Sequence, residues 1–286
     1  VYNVYMNSNR KRYTKEDKAW LVIHYPLLGS RACAAKLGHS TNSVKATAYK
    51  LGIHVQNEIR KQMHLKGVRQ NFIPSVDEKQ FMQVKTPEVA YLLGLLWADG
   101  WVVSKKTFSV DIKLVSEDMR PLEKIFFATG NWRKYQHAPI GRKPTTHLRA
   151  SNKKLVEYLV SLGYKAKSYL SARRVLESVP DHLKHYWWRG YLDGDGFISK
   201  TQYIIQFSSG YDQDWSFLPK EIPFRIEQYS WGRCKASKAI ISQKEWVLKL
   251  GEFIYQGADK DGLYLPRKRE AFLRMRERGN THSALS

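Results

Sequence analysis

Acid is scarce in this chain of 286 residues: 26 Asp and Glu stand against 48 Lys and Arg, a formal net charge of +22. The sequence pI is near 9.9. No folded core needs that excess, and so large a cation field draws polyanions, DNA or RNA first among them. Cysteine is nearly absent. Cys33 and Cys234 are too few for a disulfide framework or a four-cysteine zinc site, and the 9 histidines follow no ligand spacing. Such usage suits a reducing compartment, and a cytoplasmic setting is expected. No apolar run approaches the roughly 20 residues of a membrane-spanning helix, and VYNVYMNSNRKR (1–12) holds no apolar signal core. No membrane partner is expected. What the chain has in quantity is core material: 43% hydrophobic residues, with 17 Tyr, 11 Phe and 9 Trp, exclude a disordered polymer. The length allows two domains, or one large core with an added module.

The first segment stands apart. TKEDKAWLVIHYP (14–26) offers Thr14 as a helix cap, acids in the first turn and a helical apolar pattern stopping at Pro26. SRACAAKLG (30–38) reads as a short helix ended by Gly38. HSTNSVKATAYKLGI (39–53) restarts on Ser40 or Thr41, with Val44, Ala48 and Leu51 on one face. Three short helices with a tight turn at Gly38–Ser40 predict a small all-α helix-turn-helix domain over 1–55, with Ser43, Lys45, Thr47 and Lys50 facing a major groove. The alternative is a helical packing module whose polar face is merely solvated. Through residue 86 the chain carries 15 Lys and Arg against 5 Asp and Glu, which favours nucleic acid. Residues 56–86 lack a sustained period and read as a basic linker, opening with a helical extension over 56–65.

From Pro87 the pattern changes. PEVAYLLGLLWADG is a helix apolar nearly all round, opened by Pro87 in its first turn. FSVDIKLVS alternates, with Phe108, Val110, Ile112 and Leu114 on one side and Ser109, Asp111 and Lys113 on the other. EDMRPLEKIFFATG is helical, NWRKYQHAPIGRKPTTHLRAS is strand with a basic turn at 141–143, and NKKLVEYLVSLG is helical. The order then returns: LKHYWWRGYLDGDG helix, FISKTQYIIQFSS strand, DQDWSFLPKEI a short helix, RIEQYSWGRCKASKAIIS strand, QKEWVLKLGEFIY and LPRKREAFLRMRE helices. This predicts two similar halves, 87–178 and 179–286, in one chain.

Each half opens with an apolar helix that carries an internal glycine, Gly94 or Gly190, and ends in Asp-Gly, at Asp99 or Asp195. Glycine inside a helix costs roughly 1 kcal/mol against alanine. A close backbone neighbour accounts for it, and two such helices packed together each need one. Asp99 and Asp195 would then meet at one end of the interface. Paired carboxylates repel unless a divalent cation neutralises them, and hard oxygen ligands suit magnesium, with manganese able to substitute. A cation held there against nucleic-acid phosphate supports hydrolytic strand cleavage. A lone Asp-Gly after a helix is usually only a turn; two equivalent ones in a strongly basic chain are not so easily dismissed. An EF-hand-type calcium loop starting at Asp193 fails, because its final acidic position is Ile204. Asp193 has no acidic counterpart, Trp97 standing at the matching place, so it is read as a cap or a supporting residue.

YLLGLLWADG and WWRGYLDGDG resemble the two motif copies of the LAGLIDADG homing endonucleases. LRASNKKLVEYLVSLG resembles that family's helix after the strands. CKASKAIISQKEWVLKLGEFIY and the Leu265–Lys268 stretch resemble the end of a second repeat, so the likeness covers roughly 87–275. The resemblance implies an α+β fold of two pseudo-symmetric αββαββα repeats forming a DNA-binding saddle, in a monomer. It implies metal ligation and catalysis at Asp99 and Asp195, with no backbone ligand assigned beside them. It also implies double-strand cleavage of a long asymmetric target with four-nucleotide 3′ overhangs, in the setting of intron homing in a phage, bacterial or organellar genome. Basic residues near the metals are expected from Lys113, Arg149, Lys235, Lys238 or Lys268, with Lys235 preferred as catalytic. DNA contacts are expected from Ser109, Asp111, Lys113, Arg142, Lys143 and Arg149 in the first half. In the second they are expected from Lys200, Gln202, Gln206, Lys238, Arg267 and Lys268. Departures are Trp97 where an acid is common, and Arg189 and Gly194 in the second motif. The alternatives are an intron RNA-binding maturase and a DNA-binding regulator on the same fold; retention of both acids favours the nuclease.

Overall fold

The structure, a computed structural model, describes residues 12–60, 76–105, 107–232 and 234–283. The chain divides into two units, Val1–Ile73 and Pro74–Ser286, each with its own buried core.

In the first unit, helix α1 (Lys15–Leu37) begins at a reciprocal cap: the Asp17 amide donates to the Thr14 hydroxyl (3.1 Å), and the Thr14 amide donates to the Asp17 carboxylate (3.0 Å). The helix runs through Pro26 and kinks at Gly29, whose φ of 70° only glycine takes without strain. The expected two helices are therefore one kinked helix, and the break lies three residues after the proline. Gly38 closes it in the left-handed conformation, and Ser40 caps α2 (Thr41–Lys50) by accepting from the Ser43 amide. Leu21, Tyr25 and Cys33 of α1 pack with Val44 and Ala48 of α2. Leu51, placed on that face by periodicity, is 39% exposed because the helix ends there. Lys45 and Lys50 are exposed, while Ser43 and Thr47 are half-buried. Residues 57–60 are helical; the rest of the expected extension and most of the expected linker, 61–75, lie outside the described residues.

The linker reading fails at its far end. Val76, Phe81 and Val84 are buried in the core of the second unit, the first bridging Gly130 and accepting at its carbonyl from Asn152. Helix α3 (Glu78–Met82) lies between these anchors. Three apolar residues spaced five and three apart follow no single period, so the sequence hides them.

The second unit repeats one plan. The first copy runs α4 (Pro87–Asp99), β1 (Gly100–Val103), β2 (Ser109–Val115), α5 (Ser116–Ala128), β3 (Arg133–His137), β4 (Thr145–Ser151) and α6 (Lys153–Ser161), followed by α7 (Arg173–Ser178). The second runs α8 (Lys184–Asp195), β5 (Gly196–Ile198), β6 (Ile205–Gly210), β7 (Arg225–Trp231), β8 (Cys234–Ile241) and α9 (Lys244–Ile254), then α10 (Ala258–Asp261) and α11 (Pro266–Ser283). Each forms a four-stranded antiparallel sheet, in the orders β1-β2-β4-β3 and β5-β6-β8-β7. This is the expected α+β class. The copies differ in the middle: the short helix read into DQDWSFLPKEI is absent, and turns cross that region instead. Pro219 and Pro223 disfavour a helix there. Buried Trp215 and Phe217 fill the space, with the Trp215 indole donating to the Ser237 hydroxyl (3.0 Å).

Helices α4 and α8 pack backbone against backbone. A Cβ on Gly94 would collide with the Trp187 carbonyl, and one on Gly190 with the Tyr91 carbonyl; Gly194 faces the Ala98 methyl in the same way. None of these obstacles, two main-chain carbonyls and a Cβ, can yield by changing a rotamer. Every residue from Val89 to Ala98 is buried. The sign of a substitution distinguishes this contact from an ordinary helix position. Gly94→Ala and Gly190→Ala, which would stabilise a free helix by about 1 kcal/mol, should instead destabilise the protein by about 1–3 kcal/mol or more. Denaturant unfolding measures the sign, and a gain in stability would refute the close packing.

Candidate active site

The two packed helices end side by side. Asp99 and Asp195 are their last residues, and each is followed at once by an extended glycine that starts a strand. Gly100 and Gly196 have φ of −78° and −88°, so it is not a left-handed turn that calls for glycine here. Space does: a side chain would strike Leu96 or Leu192 one turn back. The abrupt exit keeps both carboxylates at the helix ends, and the Asp99 carboxylate lies against Gly194 of the opposite helix.

Two lysines close these ends. The Lys167 ammonium donates to the carbonyls of Leu96 (3.3 Å) and Ala98. The Lys268 ammonium donates to those of Leu192 (2.6 Å), Asp193 (2.7 Å) and Gly194 (3.1 Å). Helix C-termini carry unpaired carbonyls and partial negative charge, and a cation there satisfies both. Burial pulls each lysine down to about 8, against which the nearby acids act in the opposite sense: Asp195 and Asp99 at Lys167, Asp193, Asp99 and Asp195 at Lys268. Burial raises Asp99, with Lys167 and Lys268 opposing. Asp195 is pushed up to about 6, by burial first and then by the Asp99 charge. The two carboxylates therefore feel each other.

The site has two unequal flanks. One is a cavity of about 280 Å³ lined by Trp97, Lys167, Ser168, Tyr191, Asp195 and Ser208. The other, about 460 Å³, is lined by Phe197, Ser199, Lys200, Thr201, Arg267 and Lys268. On this second side Arg267 grips Asp118 through two 2.8 Å bonds, which hold the Asp118 carboxyl below its usual range. Deeper in the interface Asp193 is fully buried. Its Oδ2 accepts from the Tyr91 hydroxyl (2.7 Å) and the Leu265 amide (2.8 Å), and burial raises it to about 6. Arg189, also fully buried, donates to the Ile254, Gln256 and Leu263 carbonyls and to Asp261.

Other expected site residues fall elsewhere. Lys235 is exposed near the β7–β8 turn, paired with Ser230 and 5.8 Å from the Tyr211 ring centre, so Lys167 and Lys268 rather than Lys235 act on both acids. Lys268, also expected to touch DNA, is 4% exposed with its amine donating to three carbonyls. Ser109 and Asp111 are buried, because β2 has a strand on either side and their side chains are short; Asp111 accepts from its neighbours instead of facing a ligand. Lys200 and Gln202 lie in the β5–β6 loop rather than in a strand, both exposed. Lys113, Arg142 and Lys143 are exposed, whereas Arg149, Gln206 and Lys238 are half-buried on the sheets. Lys167 was missed: it follows a 3-10 turn, Tyr164–Ala166, where no periodicity marks it. Its one available signal is position, since it lies 68 residues after Asp99 where Lys268 lies 73 after Asp195.

An all-oxygen donor set in a negative helix-end setting fits a hard divalent cation. Among the described residues no group of three or more His, Cys, Asp or Glu is placed to hold a metal; two carboxylates leave the remaining positions to water or phosphate oxygen, as magnesium prefers. Because the folded state raises the Asp195 pKa from 3.8 to about 6, the group favours folding at low pH and that contribution is lost as pH rises through 6. Without metal, Asp195→Asn should match the wild type near pH 4 and exceed its stability above pH 6 by about 2–3 kcal/mol. Magnesium should raise the melting temperature of the wild type but not of the variant. Thermal unfolding from pH 4 to 8 checks both; a variant less stable at pH 7.5 without metal would contradict the assignment.

No protein-family model matches this chain, and no curated protein does. Solved structures do. The chain is similar to the homing endonuclease I-WcaI bound to its DNA recognition sequence, with TM-score 0.44 and 12% identity, covering 68% of this chain and 91% of that one. It is similar to the I-LtrWI LAGLIDADG homing endonuclease bound to target DNA, at 0.42 and 12% over 69% and 91%. I-DmoI in complex with DNA and Ca gives 0.40 and 17% over 65% and 97%. The solved structures similar to this chain, over about two thirds of its length, include LAGLIDADG homing endonucleases.

Proposed function

We propose that the protein is a site-specific homing endonuclease. It cuts both strands of a long, asymmetric DNA target with a divalent metal, magnesium or manganese, and leaves four-nucleotide 3′ overhangs while acting as a monomer. One observation carries the reading: two carboxylates from equivalent helices are brought together at the end of a glycine-packed interface, where each helix terminus is held by a lysine, half-buried Lys167 or buried Lys268. Asp99 and Asp195 are the residues that would hold the cation, which when bound supplies charge neutralisation and an acidified water. The chain itself supplies the rest. Close packing fixes the spacing of the acids. The Lys167 and Lys268 ammoniums stay largely protonated at neutral pH, offset negative charge beside the acids, and keep the helix-end carbonyls occupied. Both sheets add basic and polar side chains for backbone and base contact.

Incubating the full chain with DNA of its source genome in magnesium, then sequencing new ends, tests the reading. Discrete double-strand breaks are expected, absent with chelator and reduced about a hundred- to a thousandfold by Asp99→Asn or Asp195→Asn, in the range seen when a transition-state stabiliser is removed. Tight binding with no breaks would mark a DNA-binding regulator or a maturase.

The α1–α2 unit serves the same task in this proposal, as a helix-turn-helix whose exposed Lys45 and Lys50 contact DNA. Lys45→Ala with Lys50→Ala should weaken target binding and lower the slope of affinity against salt by about 2, roughly one for each phosphate left without its lysine. An unchanged salt slope would remove α2 from the interface.

A further inference from the structure

The first sheet carries a buried charge cluster that the second lacks. Strand register places Trp101, Asp111, Arg149 and Arg133 in one row across β1, β2, β4 and β3, with Lys113, His147 and Tyr135 in the next row on the same face. Asp111 is 0% exposed and accepts from three side chains: the Ser109 hydroxyl (2.6 Å), His147 Nε2 (2.7 Å) and Arg149 Nε. His147 is in turn stacked on Trp101, ring centres 5.3 Å apart, with Tyr135 at 5.6 Å. A buried carboxylate is expensive unless well partnered, and here three donors meet that cost. The sheet itself does not require it: at the matching register of the second sheet Gln206 stands opposite Ile240, and Ile240 opposite Arg225. So the cluster answers to something other than strand pairing.

Its geometry is that of a mount. Arg149 keeps 37% of its side chain exposed. With Nε held by Asp111, the terminal Nη1–Nη2 edge is what remains for a ligand, and the guanidinium plane is fixed before any ligand arrives. An end-on, pre-oriented guanidinium fork matches the O6 and N7 acceptors of guanine in a major groove, the commonest specific side-chain contact to a base. We propose that Asp111 is a positioning residue that sets Arg149 as a guanine reader, a contact that Ile240, at the matching place of the second sheet, cannot make. The inference rests on the DNA-cutting reading above and adds to it which residue discriminates, and which base.

Binding-site selection from a random duplex library tests it without the target having to be identified first. The full chain carrying Asp99→Asn and Asp195→Asn is used in calcium, so that bound duplexes stay intact. Its selected motif should hold a guanine at one position that weakens by about ten- to a hundredfold when Arg149→Lys is added, because lysine keeps the charge and loses the fork. Asp111→Asn should relax the same position, and Gln206→Ala should leave it untouched. Arg149→Lys alters only a partly exposed side chain, so the test stands even where Asp111→Asn fails to fold. A motif indifferent to Arg149→Lys, or one weakened evenly at all positions, would overturn the inference while leaving the nuclease intact. No DNA binding by the Asp99→Asn, Asp195→Asn background or by the wild-type chain in calcium would overturn the DNA-cutting reading and this inference with it.

Discussion

Everything at the centre of this protein depends on how near two main chains come to each other. Gly94 and Gly190 let α4 and α8 touch through their backbones, and that contact alone decides where Asp99 and Asp195 stand. A looser interface, padded by side chains, would part the carboxylates and ease both the burial and the repulsion that raise Asp195. The same contact explains the abrupt strand starts: with both helices buried nearly all round, each chain must leave at once, and Gly100 and Gly196 provide the clearance.

Around that centre the electrostatics are arranged against their own tendencies. Two helix C-termini and two carboxylates converge, a concentration of negative potential in a chain whose formal charge is +22. Lys167 and Lys268 reach it from outside the paired helices, one from a 3-10 turn and one from the start of α11. Lys268 is buried and Lys167 half-buried, and burial makes both weaker bases than free lysine. The protein thus sets these two cations at its centre apart from the many exposed ones on its surface.

The paired helices, their glycines and terminal acids were legible because they break a local rule, glycine within an apolar helix, twice at one spacing. The strands were legible by alternation. Lys167 was not, being one lysine among many beside a turn with no period. Asp111 was put on the correct face of β2, yet periodicity says nothing of how neighbouring strands cover a short side chain, so its burial and its three donors were not foreseen. The helix expected over DQDWSFLPKEI came from assuming that the second copy repeats the first, which Pro219 and Pro223 prevent. Val76, Phe81 and Val84 were lost in an apparent linker because isolated anchors leave no rhythm.

The bond from Tyr91 to Asp193 gives the two halves a preference for each other over themselves. At the place related to Tyr91 the second copy has Trp187, and at the place related to Asp193 the first copy has Trp97. Two first copies meeting through this surface would leave both tyrosine hydroxyls without their carboxylate. Two second copies would bury a pair of carboxylates with no tyrosine between them. Only the mixed pairing matches donor to acceptor, so the halves behave as a key and its lock cut from one pattern, and the asymmetry of the molecule is written into its seam as well as into its two faces.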